Sequence, residues 1–240
     1  MTEELFREDA YRTHCTGIVE AAEDDARVIL DQTVFYARGG GQPGDRGWLV
    51  LSDGRSLEVI DTVRDAATGD IVHVLTPSSA LPPPGVVLTA EVDWPRRHRL
   101  MRMHSALHLL CRAVGAPVTG GQIDDGKGRL DFDLGNTPID RDTLTERLRR
   151  WIAEDRPIRP FWIDEAELES RPELVRTLSV RPPRGQGRIR LVEIEGVDLQ
   201  ACGGTHVRST AEIGAVAVTK IESKGKRNRR ISLTLLDPGT

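Results

Sequence analysis

The chain has 240 residues, enough for one large domain or two small ones and for a core that needs no disulfide staples. With 38% hydrophobic and 29% charged residues, 23 Gly and 14 Pro, it is neither a disordered chain, a collagen nor a coiled coil. A net charge of −4 excludes attraction of the whole molecule to nucleic acid, so any such contact must be local.

The first residues, MTEELFREDA, are acidic and polar and do not read as a secretory signal or transit peptide. Short apolar or alternating bursts follow: CTGIVEAAED, ARVILDQTVFY, GWLVLSDGRSLEVIDTV and DIVHVLT. Their period of two predicts strands, and SDGR (52–55) predicts a hairpin turn because Asp-Gly tolerates positive φ. These elements predict a small β-barrel or sandwich. The segment PSSALPPPG (77–85), with four prolines, can be neither helix nor central strand; it is a linker or a long loop. The strand-like VVLTAEVDW (86–94) follows it. Residues 96–115, RRHRLMRMHSALHLLCRAVG, predict a helix, with Leu100, Met103, Leu107, Leu110 and Val114 at three- and four-residue spacing and Gly115 as its stop. VTGGQI and RLDFDL read as strands, and Asp140 to Glu154 as an amphipathic helix carrying Leu144, Leu148 and Trp151 on one face. IRLVEIE, AVAVTKIE and RISLTLLD complete an α+β second half. The predicted domains are 1–92, barrel-like, and 93–240, α+β.

No apolar run approaches the roughly 20 residues that span a bilayer. Three cysteines are too few for a disulfide scaffold, which points to a reducing cytoplasm.

Chemistry concentrates in two short motifs. His104 and His108 of HSALH share one face of a helix at i and i+4, about 6 Å apart along its axis. Cys202 and His206 of ACGGTH flank a Gly-Gly pair that permits a tight loop. Alone, the first describes any core or surface pair and the second any turn. Together they offer three imidazole nitrogens and one sulfur, a tetrahedral set that suits zinc better than magnesium or calcium. Cys111 lies on the same helix face as His104 but about 10 Å along the axis, and reads as a buried apolar residue. Cys15, His14, His73 and His98 have no metal-spaced neighbours and read as structural. Ser105 stands where a zincin has its catalytic glutamate. No Ser-His-Asp order with supporting motifs is present, and no general base is assigned.

HSALHLL, TGGQ, RLDFDL, ACGGTHVRSTAEIGAV and KGKRNRRI, in that order, resemble the editing domain of alanyl-tRNA synthetase, its free-standing AlaX relatives and the editing domain of threonyl-tRNA synthetase. VFYARGGGQPGDRGWL (34–49) resembles the Gly-rich motif of the longer AlaX proteins, so the likeness spans essentially the whole chain. Departures from the family pattern are Ser105 for the usual threonine of HTxxH, Ala37 for a proline and Arg227 for a common glycine. They leave the zinc set intact.

The resemblance implies an α+β zinc-containing editing domain behind a small β-barrel, one zinc per chain on His104, His108, Cys202 and His206, and a zinc-dependent hydrolase. The implied reaction is cleavage of the ester in mischarged Ser-tRNA(Ala), with Gly-tRNA(Ala) as a further candidate. The chain has no room for a synthetase core and no nucleotide-binding signature, so the expected action is in trans and without a nucleotide cofactor. The alternatives are a deacylase for serine or a threonine analogue on tRNA(Thr), and a non-catalytic zinc-stabilised tRNA-binding module. Thr119 and Gln122, which follow the ligand helix closely, are candidate polar readers of a substrate hydroxyl. Gly39, Gly40, Gly41 and Gln42 are candidates for backbone approach to the acceptor end; a tight turn explains them as well. Lys224, Lys226, Arg227, Arg229 and Arg230 are candidate phosphate contacts. Arg96, Arg97, Arg99 and Arg102 form a second basic run, read as a solvated face or a phosphate surface.

Overall fold

A computed structural model describes residues 1–23, 25–77, 81–171, 174 and 187–236. The chain divides into two compact units, Met1–His98 and Arg99–Thr240.

The first unit contains β1 (Glu3–Glu4), β2 (His14–Glu23), β3 (Arg27–Leu30), β4 (Gln32–Thr33), β5 (Gly47–Leu51), β6 (Ser56–Arg64), β7 (Ile71–Leu75) and β8 (Val87–Val92). Six of them close into a barrel in the order β2-β3-β7-β6-β5-β8, while β1 pairs with β4 in parallel. Alternation drives closure: Cys15, Gly17 and Val19 of β2 point inward, as do Leu49 and Leu51 of β5. On β6 the inward phase shifts from Leu57 and Val59 to Thr62, because a bulge lies between Val59 and Asp61. The segment 77–85 connects β7 to β8, two strands of one barrel, so it is a loop within the barrel; residues 78–80 of it lie outside the described residues.

Two polar groups are built into this unit. His73 is buried, its Nε2 2.8 Å from Thr33 Oγ1 and its Nδ1 3.1 Å from the Val28 carbonyl oxygen. Burial lowers its pKa to about 4, and the imidazole is neutral at physiological pH. Arg97 is also buried, in an ion pair with Asp45, and is therefore not part of a solvated basic face. The Gly-rich segment turns at Gly39–Gln42 and then contributes Asp45 to this pair. At that turn Gly39 and Gln42 exchange backbone hydrogen bonds of 3.1 and 2.9 Å, and Gly40 and Gly41 have φ of 57° and 84°. Positive φ at both central residues is what a two-residue hairpin turn demands, and it accounts for two of the three glycines.

The long helix α1 (Trp94–Val114) starts in the first unit and continues into the second. Asp93 Oδ1 accepts the Arg96 N–H at its start, and Gly115 at φ 69° ends it. The apolar stripe read from sequence understates its burial. Between Leu100 and Cys111 every residue except Arg102 is buried, the two histidines included.

The second unit adds β9 (Val118–Asp124), β10 (Lys127–Asp133), α2 (Arg141–Ala153), β11 (Ile158–Asp164), α3 (Glu165–Ser170), β12 (Arg188–Ile194), β13 (Asp198–Ala201), β14 (Val216–Ser223) and β15 (Asn228–Leu235). One antiparallel sheet runs β14-β15-β10-β9 and a second runs β11-β12-β13. A Cβ at Gly128 of β10 would lie 2.7 Å from Met103 Sδ, so this glycine lets α1 sit close on the first sheet. α2 opens with Asp140, whose carboxylate accepts the Thr143 N–H at 2.7 Å, and it buries Leu144 and Leu148. β11 contains Pro160 and still forms a strand, because β11 is the edge of its sheet, where a proline N faces away from the ladder.

Candidate metal centre

Two elements converge. His104 and His108 project from α1 with ring centroids 5.2 Å apart. β13 delivers the chain to Cys202, and the following loop returns His206 onto both helix residues, its ring 4.3 Å from that of His104 and 4.5 Å from that of His108. Arg190 on the neighbouring strand β12 fixes this loop, its Nη1 donating to the carbonyls of Cys202 and Gly204, each at 2.9 Å. The Gly204 N–H points at Cys202 Sγ, 3.4 Å away. Neither Gly203 nor Gly204 has a positive φ, so the loop is tight without left-handed backbone.

One ligand atom from each of His104, His108, Cys202 and His206 lies within 4.8 Å of the others, an arrangement that could hold a metal ion. Cys202 Sγ is 3.5 Å from His104 Nε2 and 3.3 Å from His206 Nε2. Zinc–nitrogen bonds near 2.05 Å and zinc–sulfur bonds near 2.3 Å, arranged tetrahedrally, separate N from S by about 3.5 Å. These two sulfur–nitrogen distances and the chemistry of the donor set fit zinc.

Electrostatics favour the ligating forms at Cys202 and His206 and the charged form at His108. Burial opposes a thiolate at Cys202, yet the surrounding histidines, His104 foremost, outweigh it and hold the thiol well below its ordinary range. Burial, reinforced by His104, holds His206 well below the ordinary imidazole value, so it is neutral. At His108 burial also opposes charge, but the Cys202 sulfur and the Asp198 carboxylate prevail and push it up to about 9.

The histidines have outer partners that the sequence reading passed over. Ser105 Oγ is 3.0 Å from His206 Nδ1 and accepts the Val207 N–H at 3.3 Å. Asp198 Oδ2 is 3.5 Å from His108 Nδ1, and Gln200 Nε2 is 2.7 Å from that same oxygen. A signal was present in D-x-Q-x-C. In an extended strand, positions i, i+2 and i+4 share a face, and Asp198 and Gln200 are indeed the buried alternates of β13.

The remaining candidates have partners of their own. Thr119 is the extra residue of a bulge in β9, its hydroxyl donating to the Asp131 carbonyl at 3.2 Å. Gln122 accepts from Arg129 at 3.1 Å, and Arg129 in turn pairs with Asp131. Arg230 forms a two-pronged pair with Asp131 at 2.7 and 2.8 Å, and Arg227 pairs with Asp133 at 3.0 Å. Arg229 donates to backbone carbonyls of its own turn, while Lys224 and Lys226 are exposed at the tip between β14 and β15. Cys111 and Cys15 are buried and thiol-bearing, and neither belongs to the cluster. His98 packs on Trp94, their rings 5.3 Å apart.

Residues 189–232 match the model of the threonyl and alanyl tRNA synthetase second additional domain, and residues 8–96 match that of class II (A) tRNA synthetases. The alanyl-tRNA editing protein AlaX-M of Methanosarcina acetivorans is 38% identical over 99% of this chain and 100% of its own length. That of Saccharolobus solfataricus is 36% identical over 98% of this chain and 99% of its own. The chain belongs to the AlaX-M family. Alanine–tRNA ligase of Pyrobaculum neutrophilum is 36% identical over 92% of the chain, but that match is only 25% of the ligase. Of the four cluster residues in this AlaX-M member, Cys202 and His206 fall inside the second-additional-domain match, whereas His104 and His108 lie outside both matched spans. Among the described residues no helix is long and apolar enough to cross a membrane.

Proposed function

We propose that the chain is a trans-editing aminoacyl-tRNA deacylase that hydrolyses the ester of mischarged Ser-tRNA(Ala), with Gly-tRNA(Ala) as a second substrate, in the cytoplasm. One observation carries the proposal: a His3Cys donor set lies in a chain that aligns end to end with proteins named for alanyl-tRNA editing.

His104, His108, Cys202 and His206 would hold the zinc. Zinc bound there would supply Lewis acidity at the ester. The substrate needs only modest help, because an aminoacyl ester is already activated. Water adds to the carbonyl carbon, and the terminal ribose hydroxyl leaves with a proton.

Serine differs from alanine by one hydroxyl, so selectivity requires a group committed to it. Thr119 spends its proton on Asp131 and keeps oxygen lone pairs that accept from a seryl hydroxyl. Gln122 is oriented by Arg129 and offers its amide N–H groups. The exposed Gly40–Gly41 turn, with Gly39 and Gln42 at its base, presents backbone to the acceptor end.

Loss of labelled amino acid tests the assignment on Ser-tRNA(Ala), Ala-tRNA(Ala) and Ser-tRNA(Thr) in parallel. Ser-tRNA(Ala) is expected to lose its label about 100-fold faster than Ala-tRNA(Ala), or more. Loss from Ser-tRNA(Thr) alone moves the activity to the threonine system. Binding without loss from any of them leaves a non-catalytic tRNA-binding module.

The basic hairpin contributes to tRNA binding unequally. Arg227 and Arg230 act as struts to Asp133 and Asp131, and Lys224, Lys226 and Arg229 face the phosphates. The double substitution Lys224→Ala/Lys226→Ala is expected to lower the slope of log affinity against log salt by about 1.4 to 1.8, at roughly 0.7–0.9 per lost phosphate contact. An unchanged slope removes the hairpin from the interface.

A further inference from the structure

We propose that Arg190 is the positioning residue for the Cys202–His206 half of the metal centre, clamping the loop so that thiolate and imidazole keep their spacing. The inference rests on the metal reading above and concerns a residue outside the four donors. β12 and β13 pair as far as Leu191 and Ala201, and one step further the Cys202 N–H donates to the Arg190 carbonyl oxygen at 3.1 Å. Residues opposite each other in a ladder share a sheet face, so Arg190 and Cys202 lie on the same one. Ile189 and Leu191, on either side of Arg190, pack into an apolar cluster on the other face. Past Cys202 the buried Arg190 side chain takes over from the ladder. Its Nη1 donates to the carbonyl oxygens of Cys202 and Gly204, each at 2.9 Å.

A peptide unit is planar, so fixing its carbonyl also fixes its N–H. Arg190 thereby sets the units that join Cys202 to Gly203 and Gly204 to Thr205. The unit between them aims the Gly204 N–H at Cys202 Sγ, 3.4 Å away. Most of the path from the thiolate to His206 thus follows from one guanidinium, and it ends with Cys202 Sγ 3.3 Å from His206 Nε2. Glycine stereochemistry does not impose this path. Neither glycine has a positive φ, and a Cβ on Gly203 would meet nothing within 4 Å beyond its chain neighbours. Hydrogen bonds impose it, and those from an ionised donor are about twice as strong as neutral ones. Without the guanidinium two carbonyls lose their partner, and the loop must be ordered at the expense of metal binding.

Zinc affinity of the full chain, measured by competition with a chromophoric chelator well below each variant's melting temperature, tests this. Arg190→Met keeps a long side chain and removes every donor; zinc binding is expected to weaken about 10–100-fold. Arg190→Lys keeps the charge, but its ammonium stops short of the Nη1 position. A several-fold loss is expected for it, and it carries the test if Arg190→Met does not fold. With cobalt(II) in place of zinc, the thiolate-to-metal charge-transfer band is expected to weaken or shift in Arg190→Met, because Cys202 has lost its clamp. An arginine that only stabilises the fold would lower the melting temperature and move neither readout. A zinc affinity within about twofold of wild type for Arg190→Met, or for Arg190→Lys where the former does not fold, overturns the positioning role and leaves the metal reading standing. Absence of zinc binding by the wild type overturns both.

Discussion

Replacing His104 or Cys202 with alanine is expected to abolish deacylation of Ser-tRNA(Ala) and to reduce bound zinc at the same time. The two side chains come from different elements, α1 and the loop after β13, and their ligand atoms meet at 3.5 Å. Loss of either leaves three donors in a largely buried cluster, so the rate should fall by more than the roughly 10–100-fold typical of changes in outer partners. Zinc content measured on the same preparations ties the two losses together. Cys111→Ala is the matching control, because Cys111 is a buried cysteine on the same helix but outside the cluster. It should retain zinc and activity. A His104 or Cys202 variant that lacks zinc yet keeps wild-type turnover overturns the metal assignment.

Arg97→Met is expected to destabilise the protein by about 3–5 kcal/mol, because it strands a buried carboxylate. Arg97 Nε lies 2.9 and 2.8 Å from the two oxygens of Asp45, and an Nη2 donor reaches the same carboxylate. Its other donors satisfy the carbonyls of Ala10 at 3.0 Å and Val34 at 2.6 Å. Asp45 also accepts the Tyr36 N–H at 2.6 Å, so the pair ties the Gly-rich segment into the first unit. At roughly 2–4 °C per kcal/mol for a chain of this size, the melting temperature should drop by about 10 °C. Arg97→Lys should recover only part of the loss, since an ammonium cannot reproduce a planar fork of donors. A melting temperature unchanged in Arg97→Met would show the pair to be dispensable. A basic run in sequence would not suggest this outcome, because a surface arginine in such a run costs little to remove.

Local periodicity made much of the architecture legible. Strands of the barrel show a period of two, and α1 and α2 carry their apolar spacing and their own stops and caps, such as Gly115 and Asp140. The four donors were also legible, because HxxxH and C-x3-H are each short enough for local geometry to constrain. β11 was hidden because an edge position, which tolerates Pro160, is a property of the sheet and not of the segment.

Charge pairing was the part that sequence alone left open. Arg97 and Asp45, Arg230 and Asp131, and Arg227 and Asp133 are far apart in the chain, and whether an arginine faces solvent, phosphate or a carboxylate depends on what folds against it. The same holds for Asp198 and Gln200, whose alternation was visible but whose partner, His108, lies on another element. The sequence by itself determined the family, the strand and helix periods and the four candidate ligands, since each rests on residues close together or on ordered motifs. Only the tertiary structure decided which cations are paired with carboxylates and which carboxylate lies beside a candidate ligand, because burial and partner distance are set by contacts between elements far apart along the chain.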